Sequence, residues 1–257
     1  MARKKKNRNN PLYYTIPMEE SSIFHRKLQY MVAENTAKGL ITFLSEKFSQ
    51  ESLKEMYERY QLGASDKRII IYSYIDIENR LRCLKRMKYG EDGKRCKNGN
   101  KSTGVGYICG SLKEKGVIPA AWEQKQCLFG EHLLSVYPDA PVVIVESEKT
   151  ALICSMIFPE YIWLATGGCS HIKPIVWIRG VLSKRKFLLF PDTGEYEYWK
   201  REAKRHSLKC RVAKYMEFGE KEWNTDLADL LMGESGEAYF VEIKAYLDFA
   251  FKDRQTK

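Results

Sequence analysis

The sequence lacks paired zinc ligands. Its seven cysteines stand singly, with no Cys-x-x-Cys pair, and only four histidines accompany them. A zinc ribbon is therefore not expected in this chain. An odd number of scattered thiols is typical of a reducing compartment, so we expect the protein to be cytoplasmic.

Long apolar runs are also missing. No run reaches the roughly 18 residues that a membrane span needs, and the chain does not open on a charged and then apolar secretory leader. We therefore expect no membrane partner.

Two common catalytic signatures are absent as well. The glycines and lysines between Gly90 and Gly110 lack the G-x-x-x-x-G-K-[ST] spacing of a P-loop, so ATP hydrolysis of that kind is not expected. No Gly-x-Ser-x-Gly elbow and no ordered Ser-His-Asp or Cys-His pattern indicates acyl transfer.

Positive charge is what the sequence has in excess. Its 43 Lys and Arg residues outnumber 33 Asp and Glu residues, which gives a formal net charge of +10. This balance favours a polyanionic partner such as single-stranded DNA or RNA, although a merely basic soluble protein would have the same composition. Residues 1–18 begin with the basic tract Arg3 to Arg8, which is too polar to pack, and they predict a disordered arm.

Residues 19–135 predict a smaller α+β lobe. Apolar residues from Glu34 to Phe48 recur at helical spacing, and Ser49 can cap a second helix that ends at Leu62-Gly63. Two β-rich segments follow, Arg68 to Asp76 and Arg80 to Tyr89, and they predict a hairpin or meander.

Basic side chains are concentrated on this predicted hairpin and on the glycine-rich loop after it. Together with nearby tyrosines they suit single strands, which need charge neutralisation and base stacking. A solvated sheet face over core tyrosines is the alternative. The candidate nucleic-acid contacts are Arg82, Lys85, Arg86, Lys88, Lys94, Arg95 and Lys101.

After Pro141 the pattern changes to short apolar strands that alternate with helices, which is typical of a mostly parallel sheet with helices on both faces. We predict an α/β domain over residues 136–235 and a carboxy-terminal helix within 236–257. The predicted strands are Val142–Val145, Tyr161–Ala165, Phe187–Phe190 and Cys210–Ala213. The predicted helices are Glu148–Phe158, a short one at Pro174–Ile178, Glu195–His206, Leu227–Met232 and Ala238–Phe251.

Acidic residues follow the strands of this domain, where ligands bind in open α/β sheets. Glu146 comes directly after one strand, Asp192 follows another, and Asp226 and Asp229 come later. Crowded carboxylates are usually neutralised by a divalent cation, and oxygen ligands favour Mg²⁺ or Mn²⁺. The alternative is that these residues cap helices. Lys149, in the first turn after Glu146, could receive a phosphate at the helix amino terminus.

These residues also resemble a known family. The segment Val142 to Leu152 resembles the first motif of Toprim domains, and Asp192-Thr-Gly194 stands where that family has Asp-x-Asp. Asp226 to Leu231 resembles its last acidic patch. The segment before the domain resembles the lead-in of phage helicase-primases, and residues Phe48 to Gly63 resemble the helical approach to bacterial primase cores.

The resemblance implies a Rossmann-like Toprim domain behind a primase-like lobe, with similarity to uncharacterised Toprim proteins of bacterial mobile elements. It implies metal-dependent nucleotidyl transfer, such as primer synthesis from nucleotides, with Glu146 and Asp192 as catalytic residues. The candidate metal ligands are Glu146, Asp192, Asp226 and Asp229. A separate helicase or zinc-ribbon protein would be a partner. Gly194 replaces the second aspartate, which keeps two alternatives open: a non-catalytic module that binds single-stranded nucleic acid, and a Toprim nuclease.

Overall fold

The structure is a computed structural model. It describes residues 15–98, 101–102, 104–168, 180–182, 185–219, 221–223 and 225–252, with the backbone alone at 97–98 and 101–102. Most of the predicted basic arm, the helix predicted at Pro174–Ile178 and the side chain of Lys101 lie outside the described residues. The chain divides into two compact units, Met1–Cys127 and Leu128–Lys257.

The first unit begins with helices. They are α1 (Met18–Ala33), α2 (Leu40–Ser45), α3 (Gln50–Arg59) and, later in the unit, α4 (Cys109–Glu114). The prediction of a helix from Glu34 was wrong, because the backbone of Gly39 has a φ of +65° that no right-handed helix contains, and α2 begins only after it. The predicted cap is confirmed, since the Ser49 Oγ accepts a hydrogen bond from the Ser52 amide at 3.2 Å.

A four-stranded antiparallel sheet packs in the same unit. Its strands are β1 (Gly63–Asp66), β2 (Ile69–Ile75), β3 (Leu81–Lys88) and β6 (Gly106–Tyr107), in the order β1-β2-β3-β6. The predicted hairpin is confirmed by β2 and β3, which pair from Ile69↔Lys88 to Ile75↔Leu81. The glycine-rich loop between β3 and β6 carries a small ribbon of β4 (Lys97–Asn98) and β5 (Lys101–Ser102).

The second unit contains a parallel sheet in the order β10-β9-β7-β8. Its strands are β7 (Val142–Val145), β8 (Ile162–Ala165), β9 (Phe187–Leu189) and β10 (Arg211–Val212). Strands β7, β8 and β9 consist of buried residues, as expected for a sheet covered on both faces. The predicted α/β class and the predicted strand positions are confirmed, with β10 two residues shorter than predicted.

Helices connect and cover these strands. They are α5 (Leu133–Val136), α6 (Glu148–Ile157), α7 (Tyr196–Arg205), α8 (Leu227–Met232) and α9 (Gly236–Phe251). The last helix packs within this unit, because Phe240 stacks on Phe158 at 5.2 Å and Asp248 accepts a hydrogen bond from the Tyr161 hydroxyl at 2.8 Å. In the described part of the chain, every helix is too short or too polar to cross a lipid bilayer.

Candidate active site

The strand order creates a topological switch in the second unit. The chain leaves β7 through α6 to reach β8 on one side, whereas β9 and β10 lie on the other side of β7. Loops that leave such a pair of strands diverge, which opens a crevice at their carboxyl ends. Glu146 follows β7 and Asp192 follows β9, so these two predicted residues flank the switch point.

The turn after β7 has a well-defined backbone. The Glu146 carbonyl accepts a hydrogen bond from the Gly167 amide at 2.9 Å, which ties this turn to the one after β8. Ser147 then caps α6, since its Oγ accepts from the Thr150 amide at 3.1 Å. The half-buried Glu146 therefore stands between the last residue of a buried strand and a capped helix, as the Toprim-like pattern predicted.

Asp192 carries the strongest electrostatic signal of the site. Burial and, to a smaller extent, the negative charges of neighbouring acidic side chains together raise the pKa of its carboxyl to about 9. These neighbours are Asp226, Glu146, Asp229 and Glu195. In the part of the chain that the structure describes, the Asp192 side chain has no hydrogen-bond donor opposite it. The structure thus brings the predicted residues Glu146, Asp192, Asp226 and Asp229 together at one edge of the sheet, which we call the acidic edge.

Asp226 and Asp229 also have a structural role. The Asp226 Oδ1 accepts from the Asp229 amide at 2.8 Å, and the Asp229 Oδ2 accepts from the Asp226 amide at 3.2 Å. This reciprocal pair is a capping box at the start of α8. Both residues therefore cap the helix, which was the alternative interpretation from sequence.

The buried Asp226 is also bound to α6. Its Oδ2 accepts a hydrogen bond from the Thr150 hydroxyl at 2.8 Å, and Thr150 is completely buried. Burial raises the pKa of Asp226, while the charge of Lys149 opposes the rise. The hydrogen bond from Thr150 to Asp226 was not predicted from sequence, because the two residues are 76 positions apart.

Lys149 makes an internal contact at this edge. Its Nζ lies 3.4 Å from the Asp229 Oδ1, and 17% of its side chain is exposed. Because that ion pair partly neutralises the acidic group, Lys149 has less charge to offer a phosphate than the sequence interpretation assumed.

Gly194 occupies the position of the missing second aspartate. Its backbone has a φ of +87°, and a β-carbon built there would lie 2.1 Å from the Trp223 Cζ3. The Gly194 amide donates to the Glu217 Oε1 at 2.9 Å. The space that an aspartate would need is therefore filled by Trp223, whose side chain is 67% exposed.

Two candidate nucleic-acid contacts in the first unit are buried. Arg82 lies 2.7 Å from the Asp76 Oδ2, and both side chains are almost inaccessible, at 3% and 8% exposure. Lys85 is also buried. The prediction that Arg82 contacts nucleic acid is therefore corrected: β3 is covered at both its inward and its outward positions over this stretch, and the guanidinium neutralises Asp76.

The remaining basic residues of that prediction are accessible. Arg86, Lys88, Lys94 and Arg95 are exposed. The loop returns to the end of β3, because the Cys96 amide donates to the Lys88 carbonyl at 3.0 Å and Tyr89 forms a bridge with Arg95. Arg86 lies two residues before Lys88 in β3. The end of β3 and the loop after it thus form a basic surface of the first unit.

The acidic edge carries carboxylate oxygens, the ligand type that a divalent cation prefers, but these side chains do not form a preorganised metal site. Among the described residues, no group of three or more His, Cys, Asp or Glu side chains is arranged to hold a metal ion. Magnesium typically binds through one or two protein carboxylates together with substrate phosphates and water. Glu146 and Asp192 lie on the two sides of the switch point, and Asp226 accepts hydrogen bonds from Thr150 and Asp229.

Comparison with known proteins gives a family and a fold. A family model described as "Domain of unknown function (DUF6371)" matches residues 38–193. No curated protein matches the sequence. Similar solved structures are primases, and the first to consider is the E. coli primase catalytic core, with a TM-score of 0.52 and 12% identity over 92% of this chain and 82% of that chain.

Two further structures are similar at lower scores. One is a chain of the complex of bacteriophage T7 lagging-strand DNA polymerase with primase domains of two gp4 subunits bound to an RNA/DNA hybrid and dTTP; it has a TM-score of 0.47 and 16% identity over 75% of this chain and 84% of that chain. The other is a DNA primase domain from Pseudomonas aeruginosa, with a TM-score of 0.45 and 15% identity over 91% and 78%. The likeness to the E. coli core confirms the predicted primase-type fold with its Toprim-like α/β domain.

Proposed function

The chain belongs to the DUF6371 family, and from its primase-type fold and its acidic edge we propose that it acts on nucleic acid by metal-dependent nucleotidyl transfer. One observation carries the proposal. Asp192 stands at the switch point with a pKa raised to about 9, partly by the surrounding carboxylates. Such repulsion is costly in a folded protein, and strongly shifted groups are concentrated at functional sites.

A divalent cation, Mg²⁺ or Mn²⁺, would relieve this repulsion. Glu146 and Asp192 would hold it, and when bound it would stabilise the charge that develops on the oxygens of a phosphoryl group. Asp226 and Asp229 would act indirectly. Their carboxylates raise the pKa of Asp192, and their hydrogen bonds fix the start of α8. Glu146, half-buried beside the crevice, would orient the attacking hydroxyl or accept its proton.

Nucleic acid would bind to the protein through its phosphates. The exposed Arg86, Lys88, Lys94 and Arg95 supply charge for this contact, and the whole chain has a net charge of +10. A single strand is the proposed template and nucleotides are the proposed co-substrates. We further propose that the protein serves replication or transfer of a mobile element in the cytoplasm, with a separate helicase or zinc-ribbon protein as its partner.

Primer synthesis tests the proposal directly. Wild-type protein with Mg²⁺ or Mn²⁺ should incorporate ribonucleotides on a single-stranded template, and Glu146→Gln and Asp192→Asn should abolish incorporation. Glu237→Gln is the matched control, because Glu237 is exposed on the first turn of α9 and should leave activity unchanged. Metal titration by calorimetry gives a second readout, in which Asp192→Asn should lose the heat of Mg²⁺ binding. Incorporation by Glu146→Gln equal to that of wild type would refute its catalytic role.

A non-catalytic binding module is the second candidate. The specific observation in its favour is Gly194, where Trp223 fills the space of a second aspartate. If oligonucleotide binds while metal heat and incorporation are absent in the wild type, this candidate replaces the first. Cleavage of a labelled strand with Mn²⁺, without extension, would instead indicate a nuclease.

A further inference from the structure

Trp223 is exposed and yet held in place. The side chain is 67% exposed, and its six-membered ring lies against Gly194. The backbone on its carboxyl side is anchored, because the Thr225 carbonyl accepts from the Thr193 amide at 3.1 Å and the Thr225 amide donates to the Glu222 carbonyl at 3.1 Å. A large indole kept in water by a fixed backbone is a feature of ligand-binding surfaces more than of packing.

Lysines lie beside further aromatic rings next to this indole. The Lys214 Nζ is 5.7 Å from the ring centre of Tyr196 and 5.8 Å from that of Phe218, which is 57% exposed. The Lys221 Nζ is 5.4 Å from the ring centre of Tyr215. Lys214 is exposed, and the Lys221 ammonium also donates a hydrogen bond to the Phe218 carbonyl, which ties this lysine to the same surface.

One carboxylate joins these groups into a continuous surface. The Glu217 Oε1 accepts from the amides of Gly194 at 2.9 Å and Tyr196 at 3.3 Å. Trp223 contacts Gly194 on one side of this junction, and Lys214 covers Tyr196 on the other. We call the surface formed by Tyr196, Lys214, Phe218, Lys221 and Trp223 the aromatic–basic surface. Its first residue, Tyr196, is four residues from Asp192, and Trp223 contacts Gly194, which is two residues from Asp192.

We propose that the aromatic–basic surface binds single-stranded nucleic acid, with one base stacked on Trp223 and the neighbouring phosphates near Lys214 and Lys221. Alternating aromatic faces and cations match the alternation of bases and phosphates in an unpaired strand. In a duplex the base faces are covered, so the same surface has nothing to stack on. The inference rests on the proposed function in one respect: a base held at Trp223 brings its phosphates to the acidic edge at Asp192.

Binding without metal tests the inference separately from catalysis. Fluorescence anisotropy of a labelled oligothymidylate about 12 nucleotides long, measured in EDTA, should give a dissociation constant that rises roughly 5- to 150-fold in Trp223→Ala. Trp223→Phe should restore most of the affinity because it keeps an aromatic face. Phe249→Ala is the matched control: Phe249 is 69% exposed and lies at the opposite end of the strands, where its carbonyl accepts from the first residue of β10, Arg211, at 3.2 Å.

Equal loss of affinity in the Trp223→Ala and Phe249→Ala variants would overturn the inference, as would an unchanged Trp223→Ala. An abasic oligomer of the same length should bind wild type and Trp223→Ala alike, and a duplex should show no effect of the substitution. If Trp223→Ala lost binding of free ATP but kept its affinity for the oligonucleotide, Trp223 would bind a nucleotide and not a strand, and the inference would be overturned. A wild-type protein that fails to make primers but shows the Trp223 effect on oligonucleotide binding would refute the proposed function and leave this inference standing.

Discussion

The indole of Trp223 fills the space beside the Gly194 backbone that the side chain of any other residue at position 194 would occupy. A β-carbon at position 194 would come within 2.1 Å of the ring, at a φ of +87°. The indole can therefore lie here only because residue 194 is a glycine, and substitution of Gly194 tests this dependence.

Gly194→Asp should lower the free energy of unfolding by more than the roughly 1–2 kcal/mol that a left-handed backbone costs a non-glycine residue. The excess is the collision with the indole, so it should shrink in the Trp223→Ala background. Urea denaturation of the two single variants and the double variant measures the coupling. Gly219→Asp is the control, because its φ of +77° is similar and its nearest neighbour, the Lys221 Nζ, is 3.7 Å away. Equal losses at the two glycines would mean that Trp223 does not fill the position.

Arg82 should matter for stability and not for binding. Its guanidinium and that of Arg80 hydrogen-bond the buried Asp76, and although burial alone raises the pKa of Asp76, these bonds and the Arg80 amide lower it overall. Removal of one member of a buried pair typically costs about 3–5 kcal/mol. Arg82→Ala should therefore destabilise the protein strongly, and chemical denaturation would show it.

The exposed neighbour Arg86 serves as the comparison. Arg86→Ala should change the free energy of unfolding by less than about 0.5 kcal/mol, as is usual for exposed positions, and should reduce the salt dependence of oligonucleotide binding. Similar stabilities of Arg82→Ala and Arg86→Ala would contradict the buried pair.

The lowered pKa of Asp76 also determines how its contribution to stability depends on pH. This contribution is complete above the unfolded pKa near 3.9 and is lost as the pH falls through the lower folded pKa.

Asp192 should make the metal-free protein less stable as the pH rises. Its folded pKa is about 9, whereas an unfolded aspartate titrates near 3.9. Between these values the folded chain retains a proton that the unfolded chain has lost, so alkali favours unfolding. Asp192→Asn removes this titration, and its free energy of unfolding should fall less between pH 5.5 and pH 8.5 than that of wild type. Parallel pH profiles would show that Asp192 is ionised in the folded protein.

The Thr150–Asp226 hydrogen bond should couple α6 to α8. Thr150→Val leaves the buried carboxylate without its 2.8 Å donor, which typically costs about 1–3 kcal/mol. In an Asp226→Ala background the same substitution should cost much less, because the acceptor is gone. Thermal or urea unfolding of the four proteins gives the interaction energy, and strict additivity would contradict a shared bond.

The sequence predicted the second unit well because its signals are local. Buried strands appear as uninterrupted apolar runs, and an acidic residue directly after such a run marks the edge of the sheet. That is why Glu146 and Asp192 could be placed together before the structure was known. The capping box of Asp226 and Asp229 was foreseeable as an alternative, since the same residue types serve as caps and as ligands.

Features that depend on distant residues were not predictable. Arg82 and the exposed Arg86 lie four residues apart in the same predicted strand, and only the fold shows that Asp76 pairs with Arg82. Trp223 could be assigned to packing from composition, because nothing in its neighbourhood shows that the chain returns to Gly194. Helix α1 was missed for a related reason: its buried residues are Ser21, Leu28 and Met31, too few and too mixed to give an apolar period.

The two-residue strand β10 has a consequence for solubility. It is the outer neighbour of β9, pairing with Leu188 and Leu189. A chain cut after residue 193, where the family match ends, would lose β10 and leave the apolar β9 as an open edge. Unpaired apolar edges recruit strands from other molecules. The short strand, with the exposed Arg211 at its start, covers this side of β9, and we expect a chain cut after residue 193 to aggregate more readily than the whole chain.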